Sequence, residues 1–242
     1  MGGAGAQGFQ SVLMDRGVVA LVAGEAVAET DLTFLPLAAR PSKIICLGLN
    51  YRDHAEESGL GIPEFPVLFA RFPSSLIGHN APIILPKVSE QLDWEAELVV
   101  VISKRGKNIA KADALNHVAG YSVFNDASIR DYQMKTPQWT AGKNFARTGA
   151  FGPWMVTADE IRPGQVMTLV TRLNGKEVQR ATTDLLIHSI PSLIAHISRF
   201  TELEAGDVIV TGTPGGVGFK RQPPLYMRPG DVVEVEVDAL GV

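Results

Sequence analysis

The chain has 242 residues, 45% hydrophobic and 20% charged, with a formal net charge of -4, which suits one large globular domain with or without a small appendage. A pI near 5.8 and the absence of any basic run argue against nucleic acid or an anionic membrane as partner and leave small molecules. No apolar run approaches the roughly eighteen residues that span a bilayer. The one cysteine, Cys46, sits in the apolar run Ile44-Ile45-Cys46-Leu47, which predicts a buried, inert thiol in a reducing cytosol.

In chain order, the first eight residues carry neither a basic leader nor an apolar signal core and are expected to form a tail. Short strands are predicted around Ser11–Met14 and Val18–Val22, a small β-rich region over residues 1–40 that ends at Arg40-Pro41-Ser42. The main domain, residues 41–242, opens with a buried strand over Lys43–Asn50. Asp53 is placed to cap a short helix over residues 54–58 that Gly59 stops. His54 and Glu57, spaced i,i+3, share one face of that helix and can act as an acid/base couple, although a solvated surface turn has the same spacing. Gly59-Leu60-Gly61-Ile62-Pro63 has the punctuation of a lid. Strands are expected over Pro66–Arg71 and Ala81–Leu85.

The stretch Asp93-Trp94-Glu95-Ala96-Glu97-Leu98-Val99-Val100-Val101-Ile102 reads as a strand with Trp94, Ala96, Leu98, Val100 and Ile102 on one face. Its other face begins with Asp93, Glu95 and Glu97 and turns apolar at Val99 and Val101, so both faces need cover. Glu95 and Glu97 leave the backbone about 6.6 Å apart on that face. Two buried like charges repel and lose hydration, and a shared cation compensates both. The same spacing at Glu234 and Glu236 belongs to an ordinary half-solvated strand, so spacing alone decides nothing.

Ala110–His117 is expected to be helical, and Gly120–Phe124 a strand that delivers Asn125-Asp126 at its exit. Asp126 could equally cap the following helical turn. Lys143 stands alone among small and apolar residues, either edge-exposed or facing an anion. Asn174-Gly175 marks a type I′ hairpin between Thr168–Leu173 and Glu177–Gln179, and Ser189 caps a helix to Phe200 with Leu193, Ile194 and Ile197 inward. The strand Asp207–Val210 feeds Thr211–Gly218, whose glycines match neither a dinucleotide fingerprint nor a P-loop. Such a turn can still aim N–H groups at a carboxylate.

Four segments together carry a resemblance: Leu49-Asn50-Tyr51-Arg52-Asp53-His54, Asp93-Trp94-Glu95-Ala96-Glu97-Leu98, Phe124-Asn125-Asp126-Ala127-Ser128-Ile129-Arg130-Asp131 and Thr211-Gly212-Thr213-Pro214-Gly215-Gly216-Val217-Gly218. In order and spacing they resemble the fumarylacetoacetate hydrolase family over about residues 43–242. The resemblance implies an α+β fold, mainly mixed β-sheets rolled into a sandwich, and assembly as a homodimer. It also implies a divalent metal, usually Mg2+ with Mn2+ or Ca2+ as alternatives, on Glu95, Glu97 and Asp126. His54 and Glu57 would then activate water and Lys143 would face substrate oxygens, with Arg130, Gln133 and Thr213 as further substrate contacts.

The activity so implied is C–C bond hydrolysis in an acylpyruvate-like or other β-diketo acid through an enolate that the ion stabilises as a Lewis acid. The same chemistry serves an isomerase or decarboxylase of 2-oxo diacids, and a catalytically silent binding protein is the third reading. One departure is Arg71, where many relatives are expected to carry lysine; if that position meets the substrate, its fork would select a different carboxylate. Relatives are also expected to run slightly past Leu240-Gly241-Val242.

Overall fold

The computed structural model describes residues 12–15, 18–21, 28, 31–57, 59 and 61–242. The expected tail, Ser11, Val22, Ser58 and Leu60 lie outside the described residues. The chain divides into two compact units, Met1–Thr33 and Phe34–Val242. In the first, β1 (Val12–Asp15) and β2 (Val18–Leu21) pair antiparallel with Val12 opposite Leu21.

The second unit begins with β3 (Ile44–Gly48), α1 (Arg52–Glu57), β4 (Val67–Ala70) and β5 (Leu76–Ile77). Next come β6 (Leu92–Asp93), β7 (Ala96–Ile102), β8 (Val118–Asp126), β9 (Ser128–Ile129), α2 (Arg130–Gln133) and α3 (Thr140–Lys143). The rest comprises β10 (Gly149–Phe151), β11 (Val156–Thr157), β12 (Thr168–Leu173), β13 (Lys176–Thr182), α4 (Ile190–Phe200), β14 (Val208–Val210) and β15 (Val233–Val237). The main sheet runs β4-β3-β14-β7-β8-β10-β5 with β11 added to β8, and a second sheet runs β13-β12-β15. β14 is parallel to β3 and antiparallel to β7, so the sheet is mixed, as the α+β expectation requires.

β7 lies inside this sheet and every residue of it is buried. Leu98, Val100 and Ile102 pack with Leu169, Val235, Val237 and the inner face of α4, Leu193, Ile194 and Ile197. Val99 and Val101 pack on the opposite side with Ile44, Cys46, Phe124, Val208 and Val210. The apolar turn of that face is therefore a second core layer, and Cys46 is buried in it.

Several local expectations change. Ala81–Leu85 is coil rather than strand: Pro82 has no N–H for a ladder, and the Ile84 N–H bonds to Arg147 O outside any strand. Lys111–His117 forms a 3-10 rather than an α-helix. Asp53 lies in the first turn of α1 instead of preceding it, and its Oδ1 accepts the N–H of His54 at 2.8 Å. Asp126 ends β8, with β9 between it and α2, so it caps no helix. The hairpin appears at Asn174 and Gly175, both with positive φ of 51° and 75°, and Glu236 pairs with the half-exposed Arg172 at 2.7 Å. That strand is the solvated one its alternation implied.

Candidate metal and substrate site

The register of β7 on β8 sets Ala96 opposite Asn125, which brings the start of one strand beside the end of the other. Glu95, Glu97 and Asp126 are buried there, each with a carboxylate oxygen within 4.8 Å of the others. Three carboxylates of like charge converge because cations and N–H groups surround them. Lys143, brought in by α3, places Nζ 2.6 Å from Glu95 Oε2 and 2.7 Å from Asp126 Oδ2. Arg130, the first residue of α2, reaches Glu95 Oε1 at 2.7 Å and Asp93 Oδ2 at 2.8 Å. Arg71 pairs with Asp126 Oδ1, and the Gly212 N–H donates to Glu97 Oε2.

These neighbours separate the three acids. Burial pushes Glu95 up, but Lys143 and then Arg130 outweigh it and hold its carboxyl down to about 2. Burial, with Asp126 and Glu95 adding, pushes Glu97 well above the usual carboxylate range. Burial favours a neutral Lys143, yet Asp126 and Glu95 outweigh it and hold the ammonium above the usual lysine range. The thiol of Cys46 is pushed up by burial first, then by Asp126 and Glu97, which favours its protonated form.

A cleft of about 190 Å³ opens beside this cluster, lined by His54, Phe69, Glu95, Arg130, Gln133, Trp139, Lys143, Thr213, Phe219 and Lys220, among others. His54 is buried on α1 with Nδ1 3.5 Å from Glu57 Oε2, too long a separation for a hydrogen bond of good geometry. Glu57 itself accepts the Gly216 N–H at 3.1 Å. Arg130 donates to Gln133 Oε1 at 2.8 Å, which leaves the amide nitrogen of Gln133 as a donor. The Oγ1 of Thr213 accepts from Gln179 Nε2 at 3.0 Å, so its own proton can point elsewhere.

Eight of the nine residues anticipated from sequence thus line one cleft or form the carboxylate cluster at its base, and Glu57 stands behind His54. The partners of three more residues emerge only in three dimensions. Asp93 is fully buried and accepts from Trp94, Gly218 and Phe219 N–H as well as from Arg130, fastening the glycine loop to α2. Gln179, in the hairpin read as scaffold, accepts from Ala96 N–H and Thr171 Oγ1 and donates to Pro214 O besides Thr213. Arg71 corrects an expectation: it does not line the cleft but lies behind Asp126, 2% exposed.

The donor set fits a hard divalent cation. Three carboxylate oxygens suit Mg2+, Mn2+ or Ca2+, and the buried Glu97 Oε1 has no hydrogen-bond partner among the described residues. His54 Nδ1 and Arg130 Nη2 are likewise buried without one. Buried polar atoms lacking partners are few in folded proteins, and three at one cleft leave room for an ion and a polar ligand.

Residues 43–242 match the family model described as fumarylacetoacetate (FAA) hydrolase C-terminal. Over 215 residues the chain is 42% identical to oxaloacetate tautomerase FAHD2A, mitochondrial, of Homo sapiens, covering 88% of this chain and 68% of the relative. The crystal structure of 2-hydroxyhepta-2,4-diene-1,7-dioate isomerase from Mycobacterium marinum is 32% identical with a TM-score of 0.81, over 96% of this chain and 84% of that one. Fumarylpyruvate hydrolase from Pseudomonas aeruginosa, solved in complex with Mn2+ and pyruvate, is 30% identical with a TM-score of 0.76, over 91% of this chain and 95% of that one. On the extent of that match and the cleft it contains, the chain belongs to the fumarylacetoacetate hydrolase family of enzymes, whose members include hydrolases, isomerases and tautomerases.

Proposed function

We propose that the chain is a divalent-metal-dependent enzyme that moves a proton beside the 2-oxo group of a small 2-oxo dicarboxylate, as in keto–enol tautomerisation of oxaloacetate. One observation carries this: the buried, unpartnered Glu97 Oε1, His54 Nδ1 and Arg130 Nη2 offer a cation ligand, a proton carrier and an anion donor around a single cleft. The 42% identity to an oxaloacetate tautomerase supports it.

Glu95, Glu97 and Asp126 hold the ion, which when bound supplies Lewis-acid polarisation of the substrate oxygens. Arg130 Nη2, the Gln133 amide nitrogen and the Thr213 hydroxyl bind the carboxylate. Lys143, kept charged by its carboxylate neighbours, offsets negative charge on the substrate oxygen. Glu57 Oε2 lies 3.5 Å from Nδ1 of His54, and the imidazole gives or takes the proton.

The test follows the enol absorbance of oxaloacetate with Mn2+ or Mg2+, then with EDTA, for wild type and His54→Ala. Decay at the uncatalysed rate in every wild-type sample would count against the proposal. Hydrolysis of an acylpyruvate is the second reading, favoured by the His54–Glu57 pair, which also suits water activation, and by the likeness to a fumarylpyruvate hydrolase. Metal-dependent loss of diketone absorbance from an acylpyruvate selects it instead.

A further inference from the structure

In each of the three carboxylates one oxygen is held by a donor other than Lys143. Arg71 holds Asp126 Oδ1, Arg130 holds Glu95 Oε1, and the Gly212 N–H holds Glu97 Oε2. Of the second oxygens, Asp126 Oδ2 and Glu95 Oε2 share the ammonium of Lys143, and Glu97 Oε1 has no partner among the described residues.

The Arg71 contact is the most thoroughly built. Its Nη1 also reaches Ala127 O at 3.3 Å, Nη2 donates to Thr148 Oγ1 at 2.7 Å and Nε to Ser75 Oγ at 3.3 Å. The guanidinium is thereby clamped by β8, the loop after α3 and the turn before β5. Gly149 makes room for it, since a Cβ there would stand 3.0 Å from Arg71 Nη2 and 2.9 Å from the Phe124 ring. A fork with five donors can satisfy these partners together; an ammonium, one nitrogen on a shorter reach, cannot.

We propose that Arg71 is a positioning residue that limits Asp126 to a single oxygen for the ion, so that the site favours small six-coordinate cations over Ca2+. The physical ground is coordination number. Ca2+ takes six to eight oxygens and readily uses both oxygens of a carboxylate, whereas Mg2+ and similar ions demand octahedral geometry. Three single-oxygen carboxylates would supply three of the six ligands that such an ion takes. This inference rests on the metal reading above.

The test is calorimetric titration of metal-free protein with Mn2+ and with Ca2+, for wild type, Arg71→Met and Arg71→Lys, each checked for folding by circular dichroism. Wild type is expected to bind Mn2+ more tightly than Ca2+. Removing positive charge alters attraction for both ions alike, so the ratio of the two Kd values reports on geometry alone. Arg71→Lys keeps the charge and is expected to shift that ratio about tenfold toward Ca2+, in the range typical of altered groups behind metal ligands; Arg71→Met, if folded, shifts it at least as far. An unchanged ratio in folded Arg71→Lys overturns the proposal while leaving the metal site intact. Failure of wild type to bind Mn2+ overturns the metal reading itself. X-ray absorption on Mn2+-loaded wild type needs no variant: a carboxylate bound through both oxygens would overturn the proposal as well.

Discussion

Gly48→Ala tests how the cleft wall is built. Gly48 ends β3 directly beneath the indole of Trp139, and a Cβ built on it would stand 2.0 Å from Cζ3 and 2.5 Å from Cη2. Ordinary van der Waals contact needs about 3.5 Å, so the ring must retreat by about 1.5 Å. Trp139 is half-buried and meets Phe69 edge-on at 5.7 Å between centroids, so it can swing outward only by losing that contact. Overpacking of this kind costs about 1–3 kcal/mol, and the solvent side of the ring favours the lower half of that range. For a domain of this size the fall in Tm is about 2–8 °C. Both residues line the cleft, so KM for a 2-oxo acid should rise several-fold while Mn2+ affinity, set by the carboxylates, stays within twofold. Differential scanning fluorimetry, calorimetry and steady-state kinetics read the three quantities. In a Trp139→Leu background the stability penalty should vanish, since the obstructing edge is gone. A Gly48→Ala protein with unchanged Tm, KM and tryptophan emission, or a penalty that persists without Trp139, refutes the reasoning.

Three further outcomes are expected. Glu95→Ala or Asp126→Ala should abolish Mn2+ binding by calorimetry, whereas Glu234→Ala, in the solvated strand with the same spacing, should leave it unchanged. Gln179→Met strands the Ala96 N–H and releases Thr213 and Pro214; at about 1–3 kcal/mol for a buried group left unpaired, urea unfolding should show a loss in that range together with a raised KM. Glu97 is held above the usual carboxylate range, so part of the metal-free protein carries a proton there that the ion must displace. Mn2+ binding should therefore release protons and tighten as pH rises, which titrations in buffers of different ionisation enthalpy detect.

What could be read in advance followed the range of each physical signal. β7 announced itself because alternation reports which faces are covered, and its second face turned apolar where a surface strand would have stayed polar. Asn174-Gly175 was legible because its backbone conformation is a local demand. Asp126 had two local explanations, and only the pairing of β8 with β7 and β10 chose between them. Arg71, Asp93 and Gln179 were harder, since their partners lie 55, 125 and 34 positions away in sequence, and no periodicity encodes a partner at that distance. Ala81–Leu85 misled because its isoleucines suggest a strand, although they need only an apolar neighbour and not a ladder.

The placement of β7 also sets the order in which the site comes apart. Its amides are bonded on both sides, to β14 and to β8, so opening them means breaking the sheet at its middle, close to global unfolding. α1 has six residues, and Asp53 and Glu57 fasten it to the N–H groups of Gly215 and Gly216 at 3.1 Å each. Native-state hydrogen exchange should accordingly find the amides of β7 among the slowest and those of α1 among the fastest. The half of the site that holds the carboxylate cluster then outlasts the half that holds His54, and the imidazole should leave and regain its place many times within one lifetime of that cluster.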